Sequence, residues 1–97
     1  MKSVIDYIAA EELKLYADNT YRVYVDSIVP TRKALSRKLA KGIFDKEKAV
    51  KAFEYCAAYA AKLYCQEFGG IWYQVFNKAT REETARNMVD DFVADNE

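Results

Sequence analysis

Twenty-three residues separate Asp45 from Gly69 without a single proline or glycine, and this block limits the chain more than any other feature. Val50, Phe53, Ala57, Ala60, Tyr64 and Phe68 recur at three- and four-residue spacing, the period of one face of an α-helix. Ala49, Cys56 and Leu63 widen the apolar stripe, and Lys48, Lys51, Lys62 and Gln66 hold the remaining polar sector. A stripe this broad predicts a long central helix over residues 45–68, touched on most sides by its neighbours. The alanines between Cys56 and Ala61 would let those neighbours come close. Asp45 is placed to cap the start of the helix, and Gly69-Gly70 to end it.

Punctuation elsewhere marks two more helices. Lys41-Gly42 is a second terminator, and Pro30 suits a first helical turn, which predicts a helix from Pro30 to Lys41 with Leu35 and Leu39 facing inward. Thr80, with Glu83 three residues later, has the spacing of a capping box and predicts a helix to about Ala94. Its inner stripe is Ala85, Met88, Val89 and Phe92. Residues 71–79 form an apolar connector whose Trp72 and Phe76 are expected to pin against the core.

The first 29 residues read two ways. Ser3 to Tyr16 has a helical pattern with Ile5, Ile8, Ala9 and Leu13 on one face, whereas Thr20 to Val29 is rich in β-branched and aromatic residues and alternates like a strand. A small hairpin turning at Asp18-Asn19 is one expectation. Helix is the favoured one, because everything downstream is helical.

Composition narrows the chemistry by subtraction. The 97 residues support one domain, 1–97. Histidine is absent, which removes the commonest general base and the commonest metal ligand. No serine sits in a nucleophile elbow and no glycine-rich phosphate loop occurs. Cys56 and Cys65 on one helix would lie about 13.5 Å apart along its axis, beyond the reach of a disulfide. They read as reduced, partly buried thiols. The chain is expected to be non-catalytic and to need no metal or cofactor. No apolar run is long enough to span a membrane, and Met1-Lys2-Ser3-Val4-Ile5-Asp6 meets an acid too early for a secretory leader, so the expected location is cytoplasmic.

Fifteen Lys and Arg balance fifteen Asp and Glu, yet the charge is polarised. Residues 30–51 carry a net charge of +6 between flanks of −2 and −4. Arg32, Lys33, Arg37, Lys38 and Lys41 make a candidate patch for an anion or a partner, with Lys33, Arg37 and Lys41 on the face opposite Leu35 and Leu39. The plain alternative is a solvated helix face. Nucleic acid is a secondary expectation, since its binders usually carry a basic balance over the whole domain and here the isoelectric point is about 6.3. Fourteen aromatic residues are more than so small a domain can bury. Tyr7, Tyr16, Tyr21 and Tyr24 are therefore candidate interface residues, for another protein or for a second copy of the chain. Among the acids, Glu67 is expected to meet Arg81 or Arg86 in a semi-buried lock.

The stretch from Leu35 to Asp45, LSRKLAKGIFD, followed by Ala49, Phe53, Ala60-Ala61, Tyr64 and Glu67-Phe68, resembles a set of small uncharacterised proteins carried by phages, prophages and plasmids. In both, a Lys38-x-x-Lys41-Gly42 turn leads into a long alanine-rich helix, and an Arg-containing helix comparable to Arg81–Ala85 follows. The resemblance spans residues 35–92. It implies an all-helical fold and a host-modulating or accessory role, in defence evasion or replication, and supplies no site residues. Residues and resemblance together lead to an all-α bundle of about four helices that works by binding, with a protein as the first expected partner.

Overall fold

The computed structural model describes residues 3–96; Met1, Lys2 and Glu97 lie outside the described residues, and with them the first two positions of the Met1–Asp6 leader reading. Four long helical segments and one short turn account for nearly all of it: α1 (Val4–Asn19); a continuous helical stretch over residues 21–40, made of α2 (Tyr21–Val23), a π-helical turn (Tyr24–Ile28) and α3 (Val29–Ala40); α4 (Lys46–Phe68); the short α5 (Trp72–Val75); and α6 (Lys78–Asp95). The fold is all-α, as expected. There is no strand among the described residues, so the hairpin reading of residues 13–29 fails. The β-branched residues that suggested it are spent elsewhere: Val23 and Ile28 are buried in the core cluster. Tertiary burial outweighs their weak intrinsic preference for strand.

The long helix α4 is the spine. Asp45 caps it, its side chain accepting from the Lys48 N–H at 3.0 Å. Gly69 ends it at φ +119° and Gly42 ends α3 at φ +72°, backbone conformations in the region where an L side chain is strained. At the α3 end the Gly42 N–H donates to Leu39 O and the Ile43 N–H to Lys38 O, the paired bonds of a Schellman motif. The α4 side chains Ala49, Val50, Phe53, Cys56, Ala57, Ala60, Ala61, Tyr64 and Cys65 are buried, chiefly against α6 and then α1. On α6 the inner stripe is Ala85, Met88, Val89 and Phe92, as expected.

The molecule measures 42 × 31 × 17 Å. Its thin dimension holds less than two helix diameters of about 10–12 Å each. As the polar sector of the sequence predicts, α4 keeps a solvent stripe, formed by Lys51, Tyr55, Ala58 and Lys62; Phe68, which the spacing placed on the inner stripe, is instead exposed at the helix end. Leu39 also turns outward, because α3 contributes only Leu35 to the core.

Two helix starts differ from the expected ones. The cap of α6 is Asn77, whose side chain accepts from the Thr80 N–H at 2.9 Å. Thr80 lies inside the helix and fully buried, its hydroxyl donating to Val75 O and to Asp6 Oδ1. The capping-box spacing was real, but a competing cap sat three residues earlier. Pro30 falls in the first turn of α3, yet α3 has no free start, since the helical path arrives unbroken from Tyr21. Proline inside a helix removes one ladder bond and crowds the carbonyl four residues back. The wider π turn placed directly before it, with Val29 N–H bonded to Tyr24 O, takes up that mismatch.

Candidate functional site

The rotation of α1 decides which surface the protein shows. Its buried face is Ala9, Ala10, Leu13 and Ala17, not the Ile5–Ile8 face. Small side chains let the α1 backbone press against α6, where the buried Thr84 hydroxyl donates to Ala10 O at 3.3 Å and to Thr80 O at 2.9 Å. Asp6 fixes the same junction. It completes a capping box with Ser3, and its Oδ1 accepts from Thr80 Oγ1 at 3.2 Å. The Ser3 backbone N–H, helped by the Thr80 and Asn77 side chains, holds the Asp6 carboxyl below its ordinary 3.8 against an opposing push from burial. Lys14 adds an ion pair from α1 to Asp91 of α6. Burial alone would lower the Lys14 ammonium, but its bonds to Asp18 and Asp91 outweigh burial and hold it above 10.5.

With that face committed inward, the large side chains of α1 point out. Val4, Ile8 and Leu15 are 73%, 62% and 58% exposed and share one outer stripe with Glu11, at offsets of four, seven and eleven residues from Val4. Beside the stripe, Ile5, Ile8, Ala9 and Glu12 of α1 face Trp72, Val75 and Phe76 across a groove of about 300 Å³. The aromatic wall of this groove is braced from behind. Trp72 and Phe76 stack with centroids 5.9 Å apart, and Tyr64 meets both edge-on at 5.3 and 4.8 Å. Ile71 and Tyr73 are exposed on the same short segment.

The candidate cations are split by the structure. Arg32, Lys33 and Arg37 join Tyr24, Val29 and Ser36 around an open hollow of about 430 Å³. Lys38 lines a different, smaller hollow with Leu35, Ile43, Asp45 and Lys48, and Lys41 sits in the α3 terminating turn. Arg32 is committed within the fold, paired with Asp95 and lying 5.6 Å from the Phe92 ring centroid.

The four candidate tyrosines separate likewise. Tyr7 and Tyr21 are exposed, and Tyr24 stands at the basic hollow. Tyr16 is a structural residue: its ring packs edge-on to Tyr64 at 4.9 Å and its hydroxyl donates to Glu67 at 3.0 Å. Burial and then the Glu67 carboxylate push its phenol above 10.0. Glu67 therefore does not meet Arg81 or Arg86. Arg81 donates to Phe76 O, while Arg86 forks onto Glu47 at 3.2 and 3.3 Å.

Both cysteines are free and buried. Burial pushes the Cys65 thiol above 9.0, and the Cys56 sulfur lies 3.5 Å from the Thr31 hydroxyl. Among the described residues no three His, Cys, Asp or Glu side chains are grouped to hold a metal ion, and no helix is long and apolar enough to cross a membrane. The residues missed from sequence are Ile5, Ile8, Leu15 and Ile71. The acids give no clean signal, since Glu11 and Glu12 share the isoleucine side of the α1 wheel but Asp6 lies on its alanine face. No family model, no curated protein and no solved structure matches the chain.

Proposed function

We propose that this chain is a non-catalytic accessory that binds another protein through the outer face of α1 and the adjoining α5 groove. One observation carries the reading: Val4, Ile5, Ile8 and Leu15 stand in water beside an apolar groove with a braced aromatic wall. Contiguous apolar surface of this kind on a small domain marks an interaction site. The stripe on α1 has the spacing that pairs with a second helix, so the partner presents an amphipathic helix. Glu11 interrupts the stripe and Glu12 lines the groove, so the partner helix carries Lys or Arg opposite them.

A second copy of the chain fits this face poorly, because it would bring its own Glu11 and Glu12 against the same apolar surface without a cation to meet them. The resemblance to small phage and plasmid proteins suggests that the partner belongs to the bacterial host and that binding modulates it. The absence of histidine and the burial of both thiols are in keeping with a binding role.

Affinity capture from a bacterial lysate tests the proposal, with the tagged chain run beside Ile8→Glu and Tyr55→Glu. Tyr55 is 81% exposed on the α4 stripe, away from the proposed face. One protein should be retained in near-stoichiometric amount by the wild type and by Tyr55→Glu, and lost by Ile8→Glu. Its contact segment should be a basic amphipathic helix. Retention indifferent to Ile8→Glu, or dimerisation of the chain that Ile8→Glu abolishes, would overturn the proposal.

A further inference from the structure

A second surface, sharing no residue with the α1–α5 groove, carries its own chemistry. We propose that the hollow around Tyr24, Arg32, Lys33, Ser36 and Arg37 is a binding site for single-stranded nucleic acid, with backbone phosphates on Lys33 and Arg37 and a base stacked on Tyr24.

Three observations converge on it. The first is uncommitted charge. Lys33 and Arg37 are exposed and have no ion-pair partner among the described residues, in contrast to Arg32, Lys46 and Arg86, which are all paired with acids. Arg32, tethered to Asp95, leaves the cationic role to its neighbours. Lys33, Arg37 and Lys41 follow at four-residue intervals, which sets positive charges roughly every 6 Å along the α3 axis. Such a row suits a strand of regularly spaced anions better than one isolated ion.

The second is the ring. Tyr24 is 43% exposed at the edge of the hollow, next to the cations. A cationic track with an aromatic platform is the combination by which proteins hold single strands, because every base offers a π-face. An acidic peptide would use the cations and have no need of the ring. The third is the backbone that presents it. Tyr24 opens the π-helical turn Tyr24–Ile28, which besides accommodating Pro30 sets the ring at the rim of the hollow, and such turns are frequent at functional sites. Ser36 places a hydroxyl in the same hollow, able to donate to a phosphate oxygen.

Fluorescence anisotropy with a labelled oligothymidylate of about twelve nucleotides tests the site, using the intact protein at low salt. Two or three phosphate contacts predict a salt exponent of about −1.4 to −2.1, so affinity should fall roughly 7- to 18-fold between about 50 and 200 mM salt. Lys33→Glu with Arg37→Glu should abolish binding. Tyr24→Ala should weaken it about tenfold while Tyr24→Phe preserves it, the pattern of stacking. A polyglutamate of matched charge should compete poorly. All these side chains are exposed, and an unchanged denaturation midpoint confirms that each variant is folded. Absence of binding at low salt overturns the proposal. So does binding that ignores Tyr24→Ala, or that polyglutamate or a DNA duplex displaces as well as unlabelled single strand does, since the patch would then be a generic polyanion contact. None of these failures touches the α1 docking face, which Ile8→Glu probes separately.

Discussion

Replacing Ile8 and Leu13 by alanine, one at a time, separates the two faces of α1. The residues are five positions apart on the same helix, and the sequence pattern places both inward. In the structure Leu13 is fully buried and Ile8 is 62% exposed. Leu13→Ala removes a fully buried side chain from the core cluster and should cost about 3 kcal/mol, within the usual range for buried leucine. Full burial of an isoleucine contributes about 1.5–3 kcal/mol, and the part of Ile8 that is covered accounts for roughly 0.6–1.1 of that. Alanine recovers about 0.4 kcal/mol through its higher helix propensity. The net cost of Ile8→Ala should therefore stay below about 0.7 kcal/mol. For a domain of this size 1 kcal/mol moves the melting temperature by about 4–8 °C. Thermal unfolding followed by far-UV circular dichroism should show a drop of roughly 12–24 °C for Leu13→Ala and less than about 6 °C for Ile8→Ala. Equal losses would mean that α1 is rotated differently, and the exposed stripe, with the docking face built on it, would go.

Two other perturbations report on the groups that fix this arrangement. Asp6 has a folded-state carboxyl held below 3.8, so its contribution is complete above that pH and is lost as pH falls through the lowered value. Asp6→Asn should lower the melting temperature at pH 7, and the gap to wild type should close in strong acid; a gap that persists unchanged would show that the Asp6 charge does not stabilise the α1 cap and its junction with α6. Cys56 and Cys65 are buried, and burial raises the Cys65 thiol. Both should react with a disulfide reagent only slowly in the native protein and rapidly in denaturant, a difference that mass spectrometry of partly labelled protein resolves by site. Fast native labelling of Cys65 would contradict its packing.

How much of this was legible in the sequence differs by helix. In α4 and α6 the apolar stripes are long, and Asp45 and Gly69 stand at the ends, so period and punctuation agree and the two helices follow directly. In α1 two faces compete, and the pattern favours the wrong one because isoleucine outranks alanine on size. What decides is the close approach that Ala10 and Ala17 permit and the Thr84 bond it brings, a tertiary fact with no local trace. Thr80 and Asn77 show the same limit at a helix start: both are good caps, and the choice rests on the burial of Thr80 and its bond to Asp6 across 74 positions. The basic patch was visible as composition, but its division was not. That Arg32 is tied to Asp95 while Lys33 and Arg37 stand free beside Tyr24 depends on how the 21–40 stretch packs on α4, which brings Arg32 to the end of α6.

Methyl-resolved NMR with a soluble paramagnetic agent measures directly which side of α1 faces water. The methyl groups of Val4, Ile5, Ile8 and Leu15 should relax strongly, while those of Leu13, Val23 and Ile28 stay nearly unaffected, matching their burial. If the Ile8 and Leu15 methyls prove as protected as those of Leu13, the apolar face is covered in the free protein and the proposed docking surface does not exist.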